Sequence, residues 1–174
     1  MDRLALLTQA EHEVSLGLQE KALRRIEQTE TVAAKLQCHG QDLGWLTRRL
    51  TSVRESVNGE AWELMLVSRQ KIAVKIAPFF RASALERRDA TTDPWRELDL
   101  LERCTALFKE TGLPQLPLLF GYGICERLTE SDYQNTRLQD RLAREQTGKA
   151  LLLYNELCQC DLSSWVRAGL GCVL

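Results

Sequence analysis

The residues best placed to act together chemically are an amine on a strand and a carboxylate on a helix. Ile72-Ala73-Val74-Lys75-Ile76 is an apolar run carrying one lysine. Side chains alternate across a strand, so Lys75 and Ala73 share one face while Ile72, Val74 and Ile76 share the other. The branched residues can fill a core, which leaves Ala73 and Lys75 looking into whatever cleft lies opposite. A second reading keeps Lys75 as a solvated guard on a sheet edge.

The carboxylate is Glu97. Asp93 suits an N-cap, Pro94 suits the first helical position, and Gly112 after Lys109 suits a stop, so the spacing predicts a helix between them. At 100° per residue, Leu100, Leu101, Cys104, Leu107 and Phe108 fall on one broad face, with Glu97 near its centre and Glu102 nearly opposite. A carboxylate among leucines is costly unless it is paired. Lys75 is the natural partner, and the result would be a fixed ammonium. The competing reading has Glu97 reach solvent from the first turn and favour the helix dipole.

Several elements must position that pair. Residues 1 to about 39 read as a long helix, with Leu7, Val14, Leu18, Ala22, Ile26, Ala33 and Leu36 forming a stripe of period near 3.6 and Gly40 as its stop. Asp42 is the expected cap of a second, short helix carrying Leu43, Trp45, Leu46 and Leu50. This helical extension, residues 1–50, either packs on the following domain or docks a partner. From about Leu50 to Pro78 the period changes. Trp62, Leu64 and Leu66, then Ile72, Val74 and Ile76, alternate with other residues and predict two strands joined at Ser68-Arg69-Gln70-Lys71. Leu116 to Ile124 and Ala150 to Tyr154 read as further strands. Between them, residues 126 to about 149 are charged, with Leu128, Tyr133, Leu138 and Leu142 thinly spread, and read as an exposed, flexible insertion. A short helix is expected from Asp161 to Val166.

This ordered set of segments resembles the N-terminal lobe of the protein-kinase superfamily, in divergent form. Ile72-Ala73-Val74-Lys75 is similar to the family's V-A-I-K strand. Trp95-Arg96-Glu97-Leu98-Asp99-Leu100-Leu101 resembles its αC segment. Leu113 to Tyr122 resembles the approach to the fourth strand, Leu151 to Leu157 the fifth strand and hinge, and Asp161 to Val166 the helix beyond it. The resemblance covers residues 50 to 170. It implies an α+β fold: an antiparallel sheet of about five strands with an αC helix, preceded by the helical extension. The lobe would occupy 51–157, with an insertion at about 126–148, and 158–174 would open a truncated second lobe. It implies ATP as cofactor, with Mg2+ in a full-length protein. Lys75 would contact the phosphates and pair with Glu97. Ala61 and Ala73 would line the adenine pocket, the backbone at Glu156 and Leu157 would bond the adenine edge, Asn155 would guard the back of the pocket, and Asp161 would reach the ribose.

This chain also departs from the family pattern. In Arg54-Glu55-Ser56-Val57-Asn58-Gly59-Glu60-Ala61 only Gly59 stands at a position of the glycine-rich phosphate loop. No motif after Trp165 supplies a catalytic or metal-holding aspartate, so the sequence is expected to encode the binding lobe alone. Two functions follow as expectations: the ATP-binding lobe of a serine/threonine kinase-like protein, inactive by itself, or a non-catalytic pseudokinase module whose N-terminal helices bind a protein partner. Either the partner or the missing lobe would cover the open face.

Composition narrows the field. A net charge of −1 with interspersed signs gives no basis for a nucleic-acid partner, and no apolar run approaches the ~20 residues of a membrane span. Met1 to Ala10 lacks the apolar core of a secretory signal. The six cysteines are irregularly spaced, which fits free thiols in an intracellular, cytoplasmic or nuclear compartment. Cys158 and Cys160 form a lone C-x-C without the further ligands zinc would need, so no metal site is expected.

Overall fold

The computed structural model describes residues 3–23, 44–50, 58–66, 68–80, 93–112, 117–126, 128–145 and 147–157. Its strands are β1 (Gly44–Leu50), β2 (Glu60–Leu66), β3 (Lys71–Pro78), β4 (Leu119–Cys125) and β5 (Ala150–Glu156). Its helices are α1 (Arg3–Leu23), α2 (Pro94–Thr111) and α3 (Thr136–Glu145), with a 3-10 turn at Glu130–Asp132. The strands form one antiparallel sheet in the order β1-β2-β3-β5-β4. The fold is therefore α+β, as expected. No described helix is long and apolar enough to cross a membrane.

Alternation divides the sheet into two faces with different cover. On one face Trp62, Leu64, Leu66, Ile72, Val74, Ile76, Leu152 and Tyr154 are all buried, in one cluster with Leu7, Ala10 and Val14 of α1 and Leu138 and Leu142 of α3. On the other face Ala77, Leu151 and Leu153 pack with Trp95, Leu98 and Leu101 of α2 and with Phe79 and Leu119. The β2–β3 hairpin closes through Leu66, whose N–H donates to the Gln70 carbonyl at 2.8 Å, with Arg69 at φ 70°.

Four expectations change. The short helix over Leu43 to Leu50 is instead strand β1, so the sheet begins at Gly44 and the helical extension does not run to residue 50. The register of β1 on β2 shifts between Leu46 and Arg48. One extra residue at that bulge breaks the period-2 pattern that would have marked a strand. The insertion is not a loose arm. Its Leu128, Tyr133, Leu138 and Leu142 are all buried in the core that α1 shares, because Leu138 and Leu142 stand one helical turn apart on α3.

The buried face of α2 is Trp95, Leu98, Leu101, Thr105 and Phe108, while Leu100 and Leu107 are exposed. Phasing the helix on Trp95 rather than on the leucines moves Glu97 from the centre of the apolar face to its edge. The fourth strand starts at Leu119 rather than Leu116.

Candidate functional site

Lys75 lies on β3 opposite Ala61 of β2 and Leu153 of β5. Ala73, two residues before it on the same face, lies opposite Glu63 and Asn155. Alanine at 61 and 73 keeps this part of the sheet low, and Ala61, Ala73, Lys75 and Asn155 are all partly open to solvent. The opposite face carries branched and aromatic residues that are fully covered. The sheet therefore has one sealed side and one side with a shallow floor beside a lysine.

The helix over that floor is fixed at both ends. Asp93 caps α2 by accepting from the Trp95 N–H at 2.9 Å. Trp95 packs on Phe79 with ring centroids 5.6 Å apart. At the middle, Thr105 Oγ1 accepts from the Leu119 N–H of β4 at 2.9 Å. At the far end, Gly112 takes φ 71° and returns its N–H to the Phe108 carbonyl, the left-handed cap that glycine adopts without a Cβ penalty. Lys109 donates to Glu11 of α1 at 2.7 Å, and the Arg3 guanidinium sits 5.1 Å from the centre of the Phe108 ring.

With α2 so placed, Lys75 Nζ donates to Glu97 Oε2 at 2.5 Å. The two side chains retain 30% and 38% exposure, so the pair stands at the rim of the floor rather than in a dry core. An ammonium held this way is oriented but still within reach of a ligand's anionic oxygens.

Gly59 is a matter of packing. A Cβ there would lie 2.7 Å from the Ile76 carbonyl oxygen and 3.4 Å from Lys75 Cε. Only glycine lets the chain entering β2 pass so close to β3 and to the stem of Lys75.

At the C-terminal end of β5, the Glu156 N–H donates to the Leu118 carbonyl at 2.8 Å. Its carboxylate accepts from Arg3 Nε at 2.9 Å and Nη2 at 2.5 Å. Leu157 is half-buried beside it. Asn155 turns to the Lys75 face, and its Oδ1 is buried with no hydrogen-bond partner among the described residues. The structure thus brings Gly59, Ala61, Ala73, Lys75 and Glu97 together on one side of the sheet, with Asn155 at the end of the row. Asp161, Cys158, Cys160 and Arg54 to Val57 lie outside the described residues. Cys104 and Cys125 are not in disulfides.

Three residues that the sequence did not single out support this arrangement. Arg3 ties α1 to both β5 and α2. Glu60, only 5% exposed, accepts from Trp62 Nε1 at 2.7 Å and from the N–H groups of Gln134 and Asn135 at 2.8 and 2.9 Å, anchoring the insertion. Arg141 of α3 donates to Asn58 Oδ1 at 2.7 Å while stacking 3.6 Å over Phe80. Glu60 left a faint signal, since a charge at a strand position facing the apolar side must be bonded. Arg3 and Arg141 left none, because their partners are distant in sequence. The chain matches no protein-family model and no curated protein.

Proposed function

We propose that this chain is the nucleotide-binding N-terminal lobe of a divergent serine/threonine protein-kinase-like protein. The observation that carries the reading is the contact of Lys75, on the third strand, with Glu97, on the helix that follows. Kinase chemistry depends on that strand-to-helix pair to hold the phosphates of ATP. ATP is the proposed cofactor, with Mg2+ in a longer protein. Lys75 would meet the phosphates, Ala61 and Ala73 would lie under the base, and the backbone at Glu156 and Leu157 would meet its edge.

Phosphoryl transfer also needs an aligned hydroxyl and metal-held phosphates. No H-R-D-like or D-F-G-like motif follows Trp165 in these residues, and the activity proposed for these 174 residues by themselves is weak nucleotide binding. An intracellular setting and a covering protein surface, a second lobe or a partner, belong to the same proposal. The alternative, a pseudokinase module that docks through its N-terminal helices, loses Leu7, Ala10 and Val14 as docking residues, because they are fully buried against the sheet.

The test is an ATP titration of the 174-residue chain followed by amide chemical shifts. Saturable shifts confined to β2, β3 and β5, lost in Lys75→Ala, are expected. Shifts of the same size in Lys75→Ala, or none in either protein, would overturn the reading.

A further inference from the structure

The α2 helix carries a second apolar row besides the one it buries. Leu100 and Leu107 are 52% and 38% exposed. They stand seven residues apart, about two turns, so they share one row, with the half-buried Cys104 between them. That row lies across the helix from Leu98 and Thr105, which are buried toward the sheet. Beside it runs a second row at the same spacing, made of Arg96, Arg103 and Glu110, all exposed.

The outer two charges of that row have the wrong sign for their own helix. Arg96 lies in the first turn of α2 and Glu110 in the last, whereas the helix dipole favours an anion at the start and a cation at the end. Glu97 and Lys109, their neighbours, have the favoured signs and are paired with Lys75 and Glu11. Arg96 and Glu110 enter no ion pair among the described residues. What complements such a face is a helix of opposite direction with the same pattern. A copy of α2 is one. A twofold axis at Arg103, midway between the two charges, sets Arg96 of each copy beside Glu110 of the other and Leu100 of each beside Leu107 of the other. Each charge then also lies over the end of the other helix dipole that attracts it. A parallel arrangement would set Arg96 on Arg96 and Glu110 on Glu110, which repel.

We propose that this outer face of α2 is a self-association surface: two copies of the chain pack α2 against α2 in antiparallel fashion, burying Leu100 and Leu107 and pairing Arg96 with Glu110 twice across the axis. The interface is isologous, so one self-complementary face suffices to close a dimer. It stands independently of the nucleotide reading, since it uses neither Lys75 nor the floor beside it. The patch is small, and Arg103 meets its own copy at the axis, so association is weak, with a Kd on the order of 100 µM.

The experiment is equilibrium sedimentation of the 174-residue chain at concentrations up to several times that Kd. The samples are the parent, Arg96→Glu, Glu110→Arg, an equimolar mixture of those two variants, and Leu107→Ser. Circular dichroism confirms folding, which neither charge reversal threatens, because each puts the dipole-favoured sign at its own helix end. The parent should approach twice the mass of one chain. Each reversal alone should associate about tenfold more weakly, since two ion pairs become two repulsions. Leu107→Ser should weaken association by a similar factor. The mixture should recover the parent's association, because each variant offers the other the opposite charge at both contacts. A parent that stays monomeric, a dimer indifferent to the reversals or to Leu107→Ser, or a mixture no more dimeric than its components would overturn the proposal.

Discussion

Lys75 on β3 and Glu97 on the first turn of α2 meet at 2.5 Å across the open side of the sheet, each about one-third exposed. An ion pair in that setting is partly screened and contributes little to folding, about 0–1 kcal/mol. What it contributes is orientation of the lysine. The α2 helix is already fixed by its Asp93 cap, the Thr105 bond to β4 and the Lys109 bond to α1.

Glu97→Gln is therefore expected to unfold within about 1 kcal/mol of the parent while losing most of the ATP-induced shift at β3. Equilibrium denaturation beside the ATP titration separates the two effects. A loss of several kcal/mol would mean that the pair is structural after all, and an unchanged titration would remove Glu97 from the site.

Glu60 makes the opposite prediction. Its carboxylate is buried and accepts from Trp62 Nε1 and from the backbone N–H groups of Gln134 and Asn135, which lead into α3. Glu60→Ala strands those donors and should cost about 3 kcal/mol. The loss should be local first: hydrogen exchange at 134–145 should accelerate before exchange in β3 and β5. Uniform acceleration across the sheet would show that the insertion and the sheet open together, so that Glu60 is not a local latch.

Local signals in the sequence carried most of the frame. Asp93, Pro94 and Gly112 marked the ends of α2 because caps and glycine stops act within a few residues. Alternation in 62–66 and 72–76 marked β2 and β3 and placed Lys75 opposite the core. Features set by distant neighbours stayed hidden. Strand β1 was lost to its bulge. The insertion looked polar because most of its residues are polar, yet Leu138 and Leu142 are buried in the core beneath α3. The helix phase was misjudged because Leu100 and Leu107, though apolar, remain outside while Trp95 and Thr105 are buried. The Lys75–Glu97 pair was legible because strand alternation and helix position pointed to it independently. The orphaned amide of Asn155 was not, since only three-dimensional neighbours decide whether an amide is satisfied.

Gly59 tests how tightly β2 and β3 hold the lysine. Gly59→Ala drives a methyl group to 2.7 Å from the Ile76 carbonyl and against the Lys75 stem. Overpacking of this kind costs about 1–3 kcal/mol, and the shift needed to relieve it falls on Lys75. The variant should lose both stability and the ATP response. Gly112→Ala is the control: nothing lies within 4 Å of its Cβ, but φ is +71°. It should lose about 1 kcal/mol from backbone strain and leave the ATP response intact. Equal ATP responses in the two variants would dissociate Gly59 from the site.

The tyrosines predict an alkaline limit to stability. Burial pushes the phenols of Tyr133 and Tyr154 well above their usual range, with the nearby Cys125 adding to both. Such a group is neutral in the folded protein at a pH where the unfolded chain, with phenols near 10, has begun to ionise. The stability these phenols contribute is complete below pH 10 and declines as pH rises beyond it, by about 1.4 kcal/mol per pH unit for each phenol. Urea unfolding at pH 8, 10 and 11 should show that decline, with phenolate absorbance from these residues appearing only as the chain unfolds. Tyr154→Phe should remove about half of the dependence they cause. Tyr133→Phe should remove the other half and also raise stability at pH 8 by about 1 kcal/mol, because its hydroxyl is buried without a partner among the described residues. In a Tyr122→Phe background, which removes the exposed third tyrosine, phenolate absorbance from the native protein below pH 11 would contradict the burial of these two rings.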